Sequence, residues 1–153
     1  MAFDRIDRQI LSLLQEDGRM TNVELAERVG LTAPPCLRRV RALEDEGVIR
    51  GYHAELDPAS LGFSITVFAM VSLKSQAESA LREFETVMND LPEVREVHML
   101  NGEIDFILKI VSRDLQSFQE FLTSKLTPAP NVASVKTSLT IRTSKNEPGV
   151  PLG

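Results

Sequence analysis

Between two stretches of helical patterning, residues 21–29 and 32–46, the chain has only Gly30 and Leu31. Two short helices joined by so tight a glycine-containing turn, with a supporting helix before them, form the helix-turn-helix pattern. The supporting helix is residues 4–17, where Ile6, Ile10, Leu13 and Leu14 recur at helical spacing. Asp4 stands at its N-cap and Gly18 at its stop. Thr21 and Glu24 fit a capping box for the second helix. The third carries an apolar stripe of Leu37, Val40 and Leu43 and ends at Gly47. Prolines in its first turn cost little, because the missing N–H would be unpaired there anyway. Three-helix bundles without a DNA role share this geometry, so geometry alone leaves both readings open.

Charge distribution favours DNA. The net charge is −5, yet Arg28, Arg38, Arg39 and Arg41 fall in a stretch with no acid. A local basic patch on an acidic chain binds one DNA face and discourages indiscriminate contact. The third helix is expected to enter the major groove. Leu37, Val40 and Leu43 must face the bundle, so the arginines lie on the remaining arc and not all of them reach bases. Thr21 and Asn22 start the second helix, where free N–H groups suit phosphate.

From residue 64 the rhythm changes. Strands are expected at 64–73, 94–100, 104–112 and 133–142, with helices at 77–91 and 115–126. Asn101-Gly102 is a two-residue hairpin signal. The order βαββαβ is the ferredoxin-like split motif, an antiparallel sheet with both helices on one face. The fold class is therefore α+β: a helix-turn-helix head over 1–50, a partly extended connection over 51–63, a ferredoxin-like domain over 64–143 and a mobile tail over 144–153. Residues 48–56, VIRGYHAEL, read as a further strand.

Alternation along the strands sorts the sheet faces. Ile65, Val67, Ala69, Val71 and Leu73 share one side with Ile104, Phe106, Leu108 and Ile110, under the helices. The helix-free side carries Phe68, Met70, Ile107 and Val111, too apolar for water. A second copy packed sheet to sheet covers it, unless the connection or the head does. Two reading heads in one assembly would match a near-palindromic operator in double-stranded DNA.

Other classes find little support. No apolar run approaches a membrane helix, and the opening residues lack a signal-peptide core. The single Cys36 cannot form an internal disulfide, which suits a cytoplasmic protein. His53, His98 and Cys36 have no metal-ligand spacing, and no cofactor is expected. His98 and Asp105 face each other across the hairpin without a nucleophile, so no enzyme is expected.

Three segments together carry a family resemblance: DRIDRQILSLLQEDGRMTNVELAERVGLT, PPCLRRVRALEDEGVIRGYHAELDPASLG and LNGEIDFIL. The chain resembles the Lrp/AsnC regulators over residues 3 to about 143. The resemblance implies a winged helix-turn-helix domain, a βαββαβ regulatory domain, and dimers that assemble into octamers or other larger forms. DNA-wrapping proteins of the same build are the alternative. The family pattern favours Arg39 in the DNA site and brings Thr32, Ala33, Pro34 and Pro35 near DNA. It also implies a small effector, an amino acid, held near a G-x-x-D motif that here reads Gly102, Glu103, Ile104, Asp105. Asn101 and Gly102 offer backbone to the ligand, Asp105 a carboxylate for its ammonium, and Met99, Leu100, Thr137 and Leu139 an apolar wall. Asp105 otherwise stays solvated or pairs with Lys109 or Lys136.

Overall fold

The computed structural model describes residues 3–152; Met1, Ala2 and Gly153, the outermost residues of the expected head and tail, lie outside the described residues. The chain divides into two compact units. One combines the residues up to Glu55 with those from Lys145 onward; the other is Leu56–Ser144.

The first unit is a three-helix head: α1 (Arg5–Glu16), α2 (Asn22–Val29) and α3 (Ala33–Asp45). Asp4 and Asp7 cap α1 reciprocally, and Thr21 and Glu24 do the same for α2. Each box satisfies backbone donors that a helix start leaves free. Ile10, Leu25, Ala26, Val29, Cys36 and Leu43 meet in the core. Gly30 turns the chain with φ +73°, and its N–H is donated back to the Ala26 and Glu27 carbonyls. Only glycine takes this left-handed backbone without strain.

Residues 48–56 form no strand. A strand needs a ladder partner, and along this stretch the backbone hydrogen bonds are those of Val48 and Ile49 to the Leu43 carbonyl. Alternation in the sequence reports a readiness to pair, not a partner. Tyr52 holds the stretch instead, donating its hydroxyl to Glu44 Oε1 at 2.8 Å. Its ring lies against Gly18. Burial, then the Glu44 carboxylate, pushes the Tyr52 pKa up to about 12. Residues 145–152 group with the head and not with the second unit.

The second unit begins with a single 3-10 turn at Ala59–Leu61 and continues β1 (Ile65–Leu73), α4 (Glu78–Asn89), β2 (Val94–Met99), β3 (Phe106–Ser112), α5 (Leu115–Phe121) and β4 (Val132–Leu139). All neighbours are antiparallel in the order β2-β3-β1-β4, as the split motif requires. Val67, Ala69, Val71, Phe106, Leu108 and Ile110 are buried with Phe84 and Met88 of α4 and Phe118 and Phe121 of α5. Phe84 and Phe106 meet tilted at 42°, with 4.8 Å between ring centres.

Two local expectations fail here. The β2–β3 hairpin does not turn on Asn101-Gly102 alone: Met99 pairs with Phe106, and Leu100 donates to the Asp105 carbonyl, closing a longer loop. Asp105 is the reason. Its N–H goes to the Val71 carbonyl and its carboxylate accepts from the Leu73 N–H at 2.6 Å, so the chain is drawn toward β1 before β3 begins. The second failure is in α5, which becomes a π turn over Leu122–Leu126. The Thr123 and Ser124 hydroxyls donate to carbonyls four residues back, competing with the α-helical ladder.

Gly30→Ala tests the turn. A Cβ there meets no atom, so the penalty is backbone strain alone, about 1–2 kcal/mol. Gly30→Asn should cost less. Denaturant unfolding reads both, and an alanine variant as stable as the parent would contradict the assigned turn.

Candidate nucleic-acid interface and effector site

Helical geometry divides the arginines of α3 between two roles. Pro34, Arg38 and Arg41 stand at i, i+4 and i+7 and share one exposed stripe. Neither Arg38 nor Arg41 makes an ion pair among the described residues. Thr32 precedes them as an N-cap whose side chain makes no cap hydrogen bond. Ala33 and Pro35 are half-buried.

Arg39 is differently placed. Its Nη1 donates to Asp4 Oδ2 at 2.8 Å and to Asp7 Oδ1 at 2.7 Å. The two hydrogen bonds raise the Arg39 pKa still further. The Asp7 N–H first, and Arg39 second, hold the Asp4 carboxyl below its ordinary range. Through Nη1, Arg39 braces α3 against the first turn of α1, while its side chain stays 34% exposed. The signal that would have found the brace is the Asp4–Asp7 spacing on α1, read together with the bundle.

The start of α2 is also spent internally. The Thr21 N–H donates to Glu24 Oε2 at 2.9 Å, and the Glu24 N–H donates to Thr21 Oγ1. The Thr21 N–H is the main cause of a lowered Glu24 pKa. Asn22 Nδ2 donates to the Ala33 carbonyl at 2.9 Å, clamping the first turn of α3 to α2. Thr21 and Asn22 thus also hold the motif together, and the Asn22 backbone N–H has no hydrogen-bond partner among the described residues. Cys36 is fully buried, and burial pushes its thiol pKa up, which suits a packing residue.

On the helix-free face of the sheet, Met70 pairs directly with Ile107, Thr66 with Val111, and Phe68 with Lys109. The four expected apolar residues are thus neighbours, and Phe68 is 36% exposed. A polar flank that the sequence reading missed lies beside them. Glu96 Oε1 accepts from Lys109 Nζ at 3.3 Å and Glu96 Oε2 meets His98 Nε2 at 3.0 Å. These contacts, His98 first, lower the Glu96 pKa.

The expected effector residues do not all converge. Met99, Leu100, Asn101, Gly102 and Glu103 are exposed together at one end of the β2–β3 hairpin. Thr137 and Leu139 are paired with Ala69 and Val67 on β4, the opposite sheet edge from β2. At about 4.8 Å per strand they cannot wall the same pocket within one chain. Asp105 pairs with neither Lys109 nor Lys136. Its Oδ2 accepts from the Leu73 N–H and from Gln76 Nε2 at 3.3 Å. Its Oδ1 has no partner among the described residues.

A helix-turn-helix head with a free arginine stripe, carried on the same chain as a ferredoxin-like domain, defines a regulator that joins DNA binding to ligand binding. Residues 3–50 match the winged helix-turn-helix DNA-binding family and residues 66–150 the Lrp/AsnC ligand binding domain. The chain belongs to the Lrp/AsnC family of transcriptional regulators. It is 53% identical to the leucine-responsive regulatory protein of Rhizobium meliloti over 146 residues, 95% of this chain and 94% of that one. It is 41% identical to the Bkd operon transcriptional regulator of Pseudomonas aeruginosa, covering 97% of each. A transcriptional regulator of Neisseria meningitidis, solved in complex with L-Met, superposes with a TM-score of 0.93 at 37% identity, covering 99% of this chain and 97% of that one. No helix among the described residues is long and apolar enough to cross a membrane.

The division of labour on α3 is testable. Arg39→Ala should lower the melting temperature and weaken operator and random DNA by the same factor. Arg38→Ala and Arg41→Ala should leave the melting temperature in place, and a lost base contact should cost about 1–3 kcal/mol at the operator alone. Because the Asp4 pKa is lowered on folding, its contribution is complete above the ordinary value of 3.8 and fades as pH falls through the folded value. Thermal melts and binding at one fixed salt concentration check all three variants. An Arg39→Ala chain as stable as the parent would remove the brace.

Proposed function

We propose that the protein is a cytoplasmic regulator that assembles through its sheets, reads a near-palindromic operator with paired heads, and adjusts that reading to an amino acid. The L-Met complex of the Neisseria regulator, similar to this chain over almost its whole length, is the observation that carries the amino-acid reading. Arg38 and Arg41 are the base-reading candidates, with Thr32 and Pro34 beside them at the helix start.

Assembly rests on the patch of Phe68, Met70, Ile107 and Val111. Apolar surface of this kind is stabilised when a second copy removes it from water. Dimeric readers place their half-sites about 34 Å apart or at multiples of that distance. Phe68→Asp with Met70→Asp sets like charges against each other across the joint. Light scattering should show the assembly dissolved, and an intact oligomer would mean that another face is used.

The effector site centres on the loop 101–104. An amino acid offers an ammonium and a carboxylate, and the loop offers backbone N–H groups beside Asp105 Oδ1. Gly102 has no side chain and no heavy atom within 4 Å of where one would begin, so a ligand can reach its backbone. Thr137 and Leu139 then join the wall from a second copy, which couples ligand binding to assembly. A thermal-shift screen with the amino acids identifies the ligand, since binding to the folded state alone raises apparent stability. Titration calorimetry on the parent and on Asp105→Ala follows. Equal affinity of the two would exclude Asp105 as the ammonium partner, and no binding of any amino acid to the parent would end the sensing role while leaving DNA binding intact.

A further inference from the structure

The head contains one element that DNA reading and effector binding leave unused. It is built from two separate stretches of chain, and the second is residues 145–152. This stretch is attached at a defined point. Gln15 Nε2 donates to the Val150 carbonyl at 2.8 Å, and the Val150 N–H donates to Gln15 Oε1 at 2.9 Å. A single side-chain amide thus satisfies both backbone groups of one residue, as a neighbouring strand would. Gly149 has φ +74°, and a Cβ there would overlap the Gln15 carboxamide. Position 149 therefore requires glycine for two independent reasons: the backbone region and the closeness of Gln15. Pro148 and Pro151 flank the contact, and fixed φ values lower the entropy lost when an extended segment docks.

The segment runs beside an open groove whose other side includes Phe3, Leu11 and Leu14, and it turns the apolar side chain of Leu152 toward that groove. Leu152 is half-buried, as are Phe3, Leu11 and Leu14.

We infer that this groove along α1 is a peptide-docking site, that its ligand is the chain's own extended segment 146–152, and that Gln15 is the residue that recognises it. The head is then tied to the remainder of the chain at both of its ends, through residues after Glu55 and through the docked segment. Release of the segment leaves one tie and an open apolar groove able to accept the same segment from another copy.

The full-length chain tests this directly. In the parent, the Val150 amide should exchange with solvent at least tenfold more slowly than in Gln15→Ala, with the core amides of α1 unchanged. Gly149→Ala should free the segment in the same way. A labelled peptide of residues 145–152 should then bind the Gly149→Ala chain by fluorescence anisotropy, bind the parent at least tenfold more weakly because its own segment already holds Gln15, and bind the Gln15→Ala, Gly149→Ala double variant no better than the parent. A Val150 amide unprotected in the parent, or a peptide that ignores the Gly149→Ala chain or binds all three chains alike, would overturn the assignment. These readouts need neither DNA nor effector, so they stand apart from the function proposed above.

Discussion

Complete burial of one face of β1 and β3 is the constraint from which the second unit follows. Val67, Ala69, Val71, Phe106, Leu108 and Ile110 are all at or within 1% of full burial. A slip of one residue in register would exchange every one of them with its neighbour on the other face. The register is therefore fixed by the core, and it dictates what the opposite face contains. Phe68, Met70, Ile107 and Val111 gather there because their partners on the inner face allow no other pairing. The same register places Asp105 beside the end of β1, where its carboxylate can accept the Leu73 N–H at the point where the β1–β4 pairing shifts.

In the head the corresponding constraint is electrostatic and local. Arg39 is one residue from the apolar stripe of α3, and it spends its charge on α1. Had all three arginines of α3 been free, the helix would carry more basic surface and less definition of its angle to the bundle. With one of them committed, Arg38 and Arg41 are presented from a helix fixed at its start by the Asn22 clamp and further along by the Arg39 brace. Charge is divided between holding and reading.

Features set by short-range chemistry were legible in the sequence. The two-residue joint at Gly30-Leu31, the N-cap at Asp4, the capping box at Thr21, and the alternation in β1 and β3 depend on neighbours within a few positions, and each reads correctly from spacing. Features that depend on a distant partner did not. Residues 48–56 alternate as a strand does but meet no ladder in the chain. Asn101-Gly102 favours a two-residue turn, yet Asp105 is drawn toward Leu73 and lengthens the loop. Arg39 reads as one of a basic cluster until α1 brings two carboxylates to it. Thr137 and Leu139 are close to nothing in the hairpin: the split motif already sets β4 on the far edge from β2, and grouping them with Met99 and Leu100 in one chain overlooks that order. The contact of the segment after Ser144 with Gln15, more than a hundred residues earlier, has no signal in local spacing.

The π turn at the end of α5 has a consequence for which side chain reaches the core. Seven residues on from Phe118, an unbroken α-helix would return Lys125 to nearly the same face, about 20° away, since each residue advances about 100°. The widened turn takes up one additional residue, and Leu126 arrives there instead, fully buried. Lys125 is turned outward and meets Glu93 Oε1 at 2.8 Å. The turn thus works as a phase corrector: it absorbs a mismatch between the helical repeat and the spacing of apolar residues, and a lysine that strict periodicity would drive into hydrocarbon becomes a solvent-side anchor.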